Sequence, residues 1–391
     1  MILLIIDLKM LMSKKVFIII SRLNIGGPTK LVNYLHENLN QYNFNSTLIS
    51  GYPIEDEGEI KPQNNQENHI YISGLSPGAN IFKSFLAVLK IYRLIKKNKP
   101  DIIHTHQAKA GLVGRIAGFL ARTPVRIHTF HGHVFNNYFS KFKTSIIMSL
   151  ERLLAKLSTK IIAISPDIEK AITKEYKITT KSKTIIQSIG IQINSYTSNK
   201  SKDSCRKEFN LPMEKTILGF VGRFAPIKDP LKFISLAENL LEKNCDYHFL
   251  IVGDGPLKES VHLAINASNN SNSFTILPWQ NELNLLYRSL DLLVLTSKNE
   301  GTPLTILEAM ISGTPTASTP VGGVKDLILD NETGILLQND LNSMAETIIK
   351  LLSDHSLLNA IKQAGIQLVN DQYSMEHFLE NTVKNYDSLI E

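Results

Sequence analysis

Two glutamates, Glu300 and Glu308, stand on either side of a predicted helix start in TSKNEGTPLTILEAMISGTPTASTPVGG, the stretch from Thr296 to Gly323. Thr302 has N-cap chemistry, Pro303 suits the first helical position, and Leu304 to Ile311 reads as a short apolar helix stopped by Gly313 and Pro315. A helix start leaves backbone N–H groups unpaired, and together with the helix dipole these make an anion site able to hold phosphate. A carboxylate at Glu308, among Leu304, Leu307 and Ile311, is expensive to bury unless it meets a polar partner, which the vicinal hydroxyls of a ribose or hexose would supply. The plainer alternative makes Glu300 a solvated loop acid and Glu308 a helix-surface acid.

Cations suited to a diphosphate lie upstream, in TILGFVGRFAPIKDP. Thr216 to Val221 reads as a strand, and Gly222 releases the chain so that Arg223 and, five residues later, Lys228 converge above it. Two fixed cations at the carboxyl end of a strand suit a pyrophosphate leaving group; surface salt bridging is the alternative. Histidines form a third group. His104 with His106, and His131 with His133, alternate so that each pair would share one face of a strand. Four histidines could hold a transition metal, but no acidic partner that would orient them is evident nearby. The reading preferred here puts His131 and Gly132 at the carboxyl end of a parallel strand, where ligands bind in open α/β sheets.

The elements that must position these residues alternate strand and helix through both halves of the chain, the pattern of parallel sheets. Lys15 to Ser21 is a continuous apolar, β-branched run of strand length. It leads into a flexible loop at Gly26 and Gly27, and a helix starts at Pro28 or Thr29, with Leu31, Leu35 and Leu39 at helical spacing. That order can bring backbone close to a phosphate, although the three-glycine dinucleotide fingerprint is absent and a simple tight turn reads equally well. Further strands are expected at Asn45 to Ser50, Pro100 to Thr105, Val125 to Phe130, Lys160 to Ser165 and Ser182 to Ile189. The polar run Asn194 to Asp203 reads as a linker between domains at 13–193 and 204–374, with a last helix over 375–391. In the second half, His248 to Val252, Thr275 to Pro278 and Asp291 to Thr296 are strand-like. Trp279 is read as core packing, though its loop could line a base.

A chain of 391 residues is too long for one core and suits two domains. Its formal charge of +6 hides an asymmetry: residues 1–200 carry 27 Lys plus Arg against 12 Asp plus Glu, and residues 201–391 carry 15 against 24. The first half is therefore built to meet anions. Ile81 to Asn98 is an amphipathic helix bearing Lys83, Lys90, Arg93, Lys96 and Lys97, read either as solvated lysines over a packed face or as a basic surface for anionic lipid. No RNA- or DNA-binding motif or aromatic platform appears, so nucleic acid is not an expected partner. Cys205 and Cys245, without paired spacing, favour a reducing, cytoplasmic compartment. No apolar run of membrane-spanning length is present, and residues 1–12 read as a dispensable extension.

Taken together, Glu300, Gly301, Pro303, Glu308, Ala309, Met310, Gly313, Pro315 and the Gly322-Gly323 pair resemble the donor-site signature of family 4 (group 1) retaining glycosyltransferases, as in bacterial surface-polysaccharide biosynthesis. The resemblance covers essentially residues 13–391. It implies the α/β fold called GT-B, two Rossmann-like domains facing across a cleft, with the last helix crossing back to the first domain. It further implies that Gly26 and Gly27 face the donor, that His131 contacts the donor sugar, and that Gly222, Arg223 and Lys228 bind the donor diphosphate. Gly253 and Asp254 sit in a turn common in the family. Gly301, Thr302, Pro303 and Leu304 shape the phosphate site, Glu308 holds ribose hydroxyls and Glu300 the hexose. Asp229 departs from the glycine that many members carry. The expected reaction moves a hexose or N-acetylhexosamine from a nucleotide diphosphate sugar, UDP favoured, to a hydroxyl of a glycan or polyprenyl-linked acceptor. Neither cofactor nor metal is expected, because the chain contains no Asp-x-Asp pair. Peripheral contact with the inner face of an anionic membrane would use the basic half. A nucleotide-sugar epimerase of the same fold, or a non-catalytic sugar-nucleotide binder, are the rival activities.

Overall fold

A computed structural model describes residues 13–24, 26–54, 58–132, 141–243 and 246–391. The proposed extension at 1–12, His133 and Cys245 lie outside the described residues. The chain divides into two compact units, one reaching to Gly190 and taking up Met375–Glu391, the other Ile191–Ser374.

The first unit is built on seven strands: β1 (Lys14–Ile20), β2 (Phe44–Ser50), β3 (His69–Tyr71), β4 (Ile102–His106), β5 (Val125–Phe130), β6 (Lys160–Ala163) and β7 (Thr184–Ile186). All pair in parallel, in the order β3-β2-β1-β4-β5-β6-β7. From Val16 to Ile20 every side chain of β1 is buried, as a strand covered on both faces requires. The helix Ile81–Asn98 buries Ser84, Ala87, Ile91 and Ile95, one stripe at helical spacing. Its neighbour Ala108–Ala121 comes closer still, because a Cβ on Gly114 would lie 2.6 Å from Thr105 Cγ2 and one on Gly118 2.8 Å from Ile103 Cδ1. That helix is tied to Lys141–Leu157 by a buried ion pair, Arg115 to Glu151 at 2.8 Å.

The helix Met375–Ile390 packs on this unit. Tyr386 Oη lies 2.7 Å from His104 Nδ1, Thr382 accepts from Gln187 at 2.6 Å, and Asp387 pairs with Lys14 at 2.5 Å.

The second unit repeats the plan with six strands: β8 (Thr216–Val221), β9 (Tyr247–Val252), β10 (Phe274–Leu277), β11 (Leu292–Leu295), β12 (Thr316–Ser318) and β13 (Ile335–Leu336). Their order is β10-β9-β8-β11-β12-β13, again parallel. Its core is aromatic, with Phe233 5.6 Å from Phe220 and 6.0 Å from Phe249, ring centre to ring centre. The run 194–203, read as a linker, belongs to this unit, and Tyr196 within it is buried.

Each order is the doubly wound Rossmann one, in which the chain leaves the central strand outward in one direction and then in the other. The direction reverses between β1 and β4 in the first unit and between β8 and β11 in the second. Loops leaving the carboxyl ends of these strand pairs part from one another and open a crevice, so the two sites follow from topology.

Candidate active site

In the second unit the loop after β8 is pinned before it reaches its cations. Phe224 is fully buried, its N–H donates to Asp254 O at 2.9 Å, and Gly222 N–H donates to Val252 O. Gly253 has φ +151°, and a Cβ there would stand 2.0 Å from Gly222 O, so the turn after β9 must be glycine for the two loops to touch. Asp254 is spent locally: its carboxylate accepts from Gly255 N–H at 2.7 Å and Lys258 at 2.8 Å, and Lys258 first and that N–H second hold it below the ordinary carboxylate range. Its carboxylate therefore shapes the turn. Arg223 projects into solvent and makes no ion pair among the described residues.

Lys228 turns inward instead. Its ammonium sits 2.7 and 2.6 Å from the two carboxylate oxygens of Glu300, and Ser297 Oγ donates to Oε1 at 2.6 Å. Glu300 is 6% exposed, which rules out the solvated-acid alternative. Two residues assigned separate targets, diphosphate and hexose, thus form one ion pair. Lys228 keeps 28% of its side chain open, so a further acceptor can still reach its ammonium.

Asp229 follows at φ +50°, in the left-handed region that glycine favours and aspartate tolerates. The strained residue is held by Thr296 Oγ1, which donates to its carbonyl at 2.9 Å, and by Lys298, 2.8 Å from its carboxylate.

The loop after β11 carries Glu300 against a second glycine pair. A Cβ on Gly322 would meet Glu300 O at 1.9 Å, and one on Gly323 would meet Gly301 O at 2.0 Å. Backbone lies directly on backbone there, which fixes the height of Glu300. The helix Leu304–Ile311 begins as read, but its cap differs: Pro303 is the N-cap and no side chain caps the helix. Thr302 is one residue too early, and its hydroxyl is buried without a partner. With no side chain occupying them, the N–H groups of Leu304 and Thr305 stay available to an anion, while that of Ile306 donates to Pro303 O at 3.1 Å.

Glu308, also 6% exposed, accepts from Tyr196 at 2.7 Å on one oxygen and Tyr287 at 2.8 Å on the other. Burial, then the Glu308 charge, raises both phenols far above their usual range, so both remain donors. Each carboxylate oxygen retains lone-pair capacity for ligand hydroxyls. Tyr196, Tyr287 and Ser297 were not singled out from sequence, since a tyrosine in a polar run and one in an apolar helix carry no mark of a carboxylate partner. Trp279 corrects its reading: it is 54% exposed and contributes nothing to the core.

In the first unit, Gly26 is extended at φ 171°, and the helix starts at Gly27 with Pro28 just inside, earlier than expected. The loop thus ends before Gly27 rather than after it. His131 follows β5, with Nε2 2.9 Å from His106 Nδ1. His104 and His106 do share a face of β4, their ring centres 4.1 Å apart. Burial lowers His131 to about 4 and His104 to about 3, and drives His106 and His128 well down, with neighbouring charges adding to the last three. All four are neutral at pH 7. His131 therefore offers a hydrogen-bonding imidazole, not a cation.

Comparison with known proteins agrees with this geometry. Residues 201–368 match the model of glycosyl transferases group 1, and residues 25–187 that of glycosyltransferase family 4. The chain is 30% identical over 305 residues, 77% of its length and 79% of the other, to an Escherichia coli UDP-Gal:alpha-D-GlcNAc-diphosphoundecaprenol alpha-1,3-galactosyltransferase. It is 27% identical over 347 residues, covering 86% of this chain and 88% of the other, to the capsular polysaccharide biosynthesis glycosyltransferase CapM of Staphylococcus aureus. Among solved structures, Anabaena HepE in complex with UDP superposes with a TM-score of 0.78 at 19% identity, over 96% of this chain and all of that one. The glycine pairs, buried acids and inward lysine thus sit in a chain that belongs to the group 1, family 4 glycosyltransferases, with the two Rossmann-like domains of the GT-B fold.

Proposed function

We propose that the protein transfers a hexose or N-acetylhexosamine from a UDP-sugar, with retention at the anomeric carbon, to a hydroxyl of a lipid diphosphate-linked glycan in surface-polysaccharide synthesis. The observation that carries this is the pairing, at the β8/β11 reversal, of Lys228 with Glu300, on the loop that leads into the uncapped start of Leu304–Ile311, with Arg223 exposed on the loop after β8. The UDP held by HepE and the UDP-Gal and diphosphoundecaprenol in the name of the E. coli relative supply the donor and acceptor classes.

Departure of UDP builds negative charge on phosphate oxygens. Arg223, the open side of Lys228 and the first-turn N–H groups stabilise it. Glu308 takes the ribose hydroxyls between its two tyrosines, Glu300 the hexose hydroxyls, and His131, neutral, a further sugar hydroxyl. Gly26 and Gly27 let backbone approach the donor. No side chain is assigned as a covalent nucleophile, so the acceptor hydroxyl attacks on the face that the phosphate leaves. The fixed cations do the work a divalent metal would do, and transfer is expected to survive chelator.

The acceptor side falls to the basic first unit. Its helix Ile81–Asn98 leaves Ile81 88%, Phe82 65% and Phe85 58% exposed beside Lys83 and Lys90, a surface matched to anionic lipid at the inner face of a membrane. Among the described residues no helix is long and apolar enough to cross one.

The test is transfer of radiolabelled sugar from a panel of UDP-sugars to a diphosphate-lipid sugar, in EDTA. Arg223→Ala should lower turnover by about tenfold or more with little change in UDP affinity, since its charge acts on the developing leaving group. Donor conversion without acceptor would make the protein an epimerase, and activity lost in EDTA and restored by magnesium would refute the metal-free mechanism.

A further inference from the structure

At the amino ends of the strands of the second sheet, away from the loops just described, lies a cavity of about 320 Å³. Thr216 at the start of β8, Asp291 just before β11 and Pro315 just before β12 form its floor. Lys202, Arg288, His355 and Lys362 converge on it.

Its charges do not balance. Asp291 is the one acid in the lining, and both its oxygens are taken, Oδ1 by Lys202 at 2.6 Å and Oδ2 by Arg206 at 2.5 Å and Ile217 N–H at 2.7 Å. Among the described residues Arg288 commits only Nε, to Lys200 O at 2.6 Å. The Lys362 ammonium has neither ion pair nor hydrogen bond among the described residues, although it is partly buried. Burial and then the charges of Arg288 and Lys202 lower its pKa. This surplus lies in the half of the chain where acids outnumber bases 24 to 15, so general basicity does not account for it. Like charges held together without a counter-charge raise the energy of the empty cavity, and an arriving anion recovers that energy. A guanidinium fork with a nearby ammonium is the donor set for a phosphoryl group, and the volume admits one with a substituent.

We propose that this cavity is a second anion site, binding a phosphoryl group as free phosphate or as a phosphate monoester, independently of the donor diphosphate site. Arg288 and Lys362 supply the primary contacts, and Lys202 adds long-range attraction.

The experiment is isothermal titration and thermal denaturation of the full chain with inorganic phosphate and, separately, with glucose 1-phosphate, against chloride at matched ionic strength. The Arg223→Ala variant should retain the phosphate response, which places it away from the donor loops. Lys362→Gln should weaken phosphate at least about tenfold, as for a lost charged hydrogen bond, with no drop in melting temperature in chloride because an unpaired cation has been removed. Arg288→Gln should weaken it likewise. Tighter binding of the ester than of phosphate would identify a monoester as the occupant, and equal binding would identify free phosphate. No response in wild type at tens of millimolar, or one unchanged in Lys362→Gln, would overturn the proposal.

Discussion

The two sheets share one strand order, yet the carboxyl ends of their inner strands are furnished in opposite ways. In the first unit the carboxyl ends of β4 and β5 carry neutral imidazoles: His106 bonds His131, and His104 bonds Thr129 and Tyr386. In the second, β8 and β11 deliver Lys228 and Glu300, held by ion pairing and backbone contact, and the exposed Arg223. Topology therefore provides a crevice and says nothing about its chemistry. An uncharged wall can hydrogen-bond a sugar without attracting its phosphates. A charged one can anchor a diphosphate.

The largest test of that contrast is acid. His36, His69, His104, His106, His128 and His131 in the first unit all have pKa values pushed below 6.5, as does His248 in the second. A histidine of lowered folded pKa stabilises the fold fully above pH 6.5, and loses that contribution as pH falls toward its folded value, about 4 for His131 and 3 for His104. Each steepens the loss by up to about 1.4 kcal/mol per pH unit. Hydrogen exchange between pH 7 and 4 should show the first unit opening before the second. Simultaneous opening would remove the contrast.

Next in size is the buried ion pair of the first unit. Glu151→Ala leaves the buried Arg115 guanidinium without its counter-charge and should cost about 3–5 kcal/mol in denaturant unfolding. Tyr287→Phe in the second unit removes one donor from a buried carboxylate, a loss of about 1.5–3 kcal/mol. Nucleotide affinity should change with it if Glu308 binds ribose; stability lost with affinity intact would confine the tyrosine to packing. The smallest effect belongs to Asp229→Gly. Relief of φ +50° and loss of the partly exposed contact to Lys298 oppose each other, so melting should move by less than about 1 kcal/mol.

Much of this plan is legible in the sequence, for reasons that also show where reading stops. Strands such as Val125–Phe130 and Thr216–Val221, and the helices Ile81–Asn98 and Leu304–Ile311, are long or periodic enough to declare themselves. Edge strands β3 and β13, with three and two residues, are not. The acids and glycines of the second site lie within thirty residues and keep a fixed spacing. Their partners do not: Tyr196 reaches Glu308 from 112 residues away, and Lys228 reaches Glu300 from 72. Composition misled at Trp279, because size alone suggests burial. It misled again at 194–203, where a polar run hides one buried tyrosine.

The helix Met375–Ile390 gives the chain an order of assembly as well as a shape. Everything in the second unit has been synthesised by Ser374, but the first unit still lacks Thr382, Tyr386 and Asp387 at that point. On the ribosome, where domains form as they emerge, the unit that begins first is completed last. Until Tyr386 arrives, His104 has no phenol to bond, and the first sheet waits for the final turns of the chain.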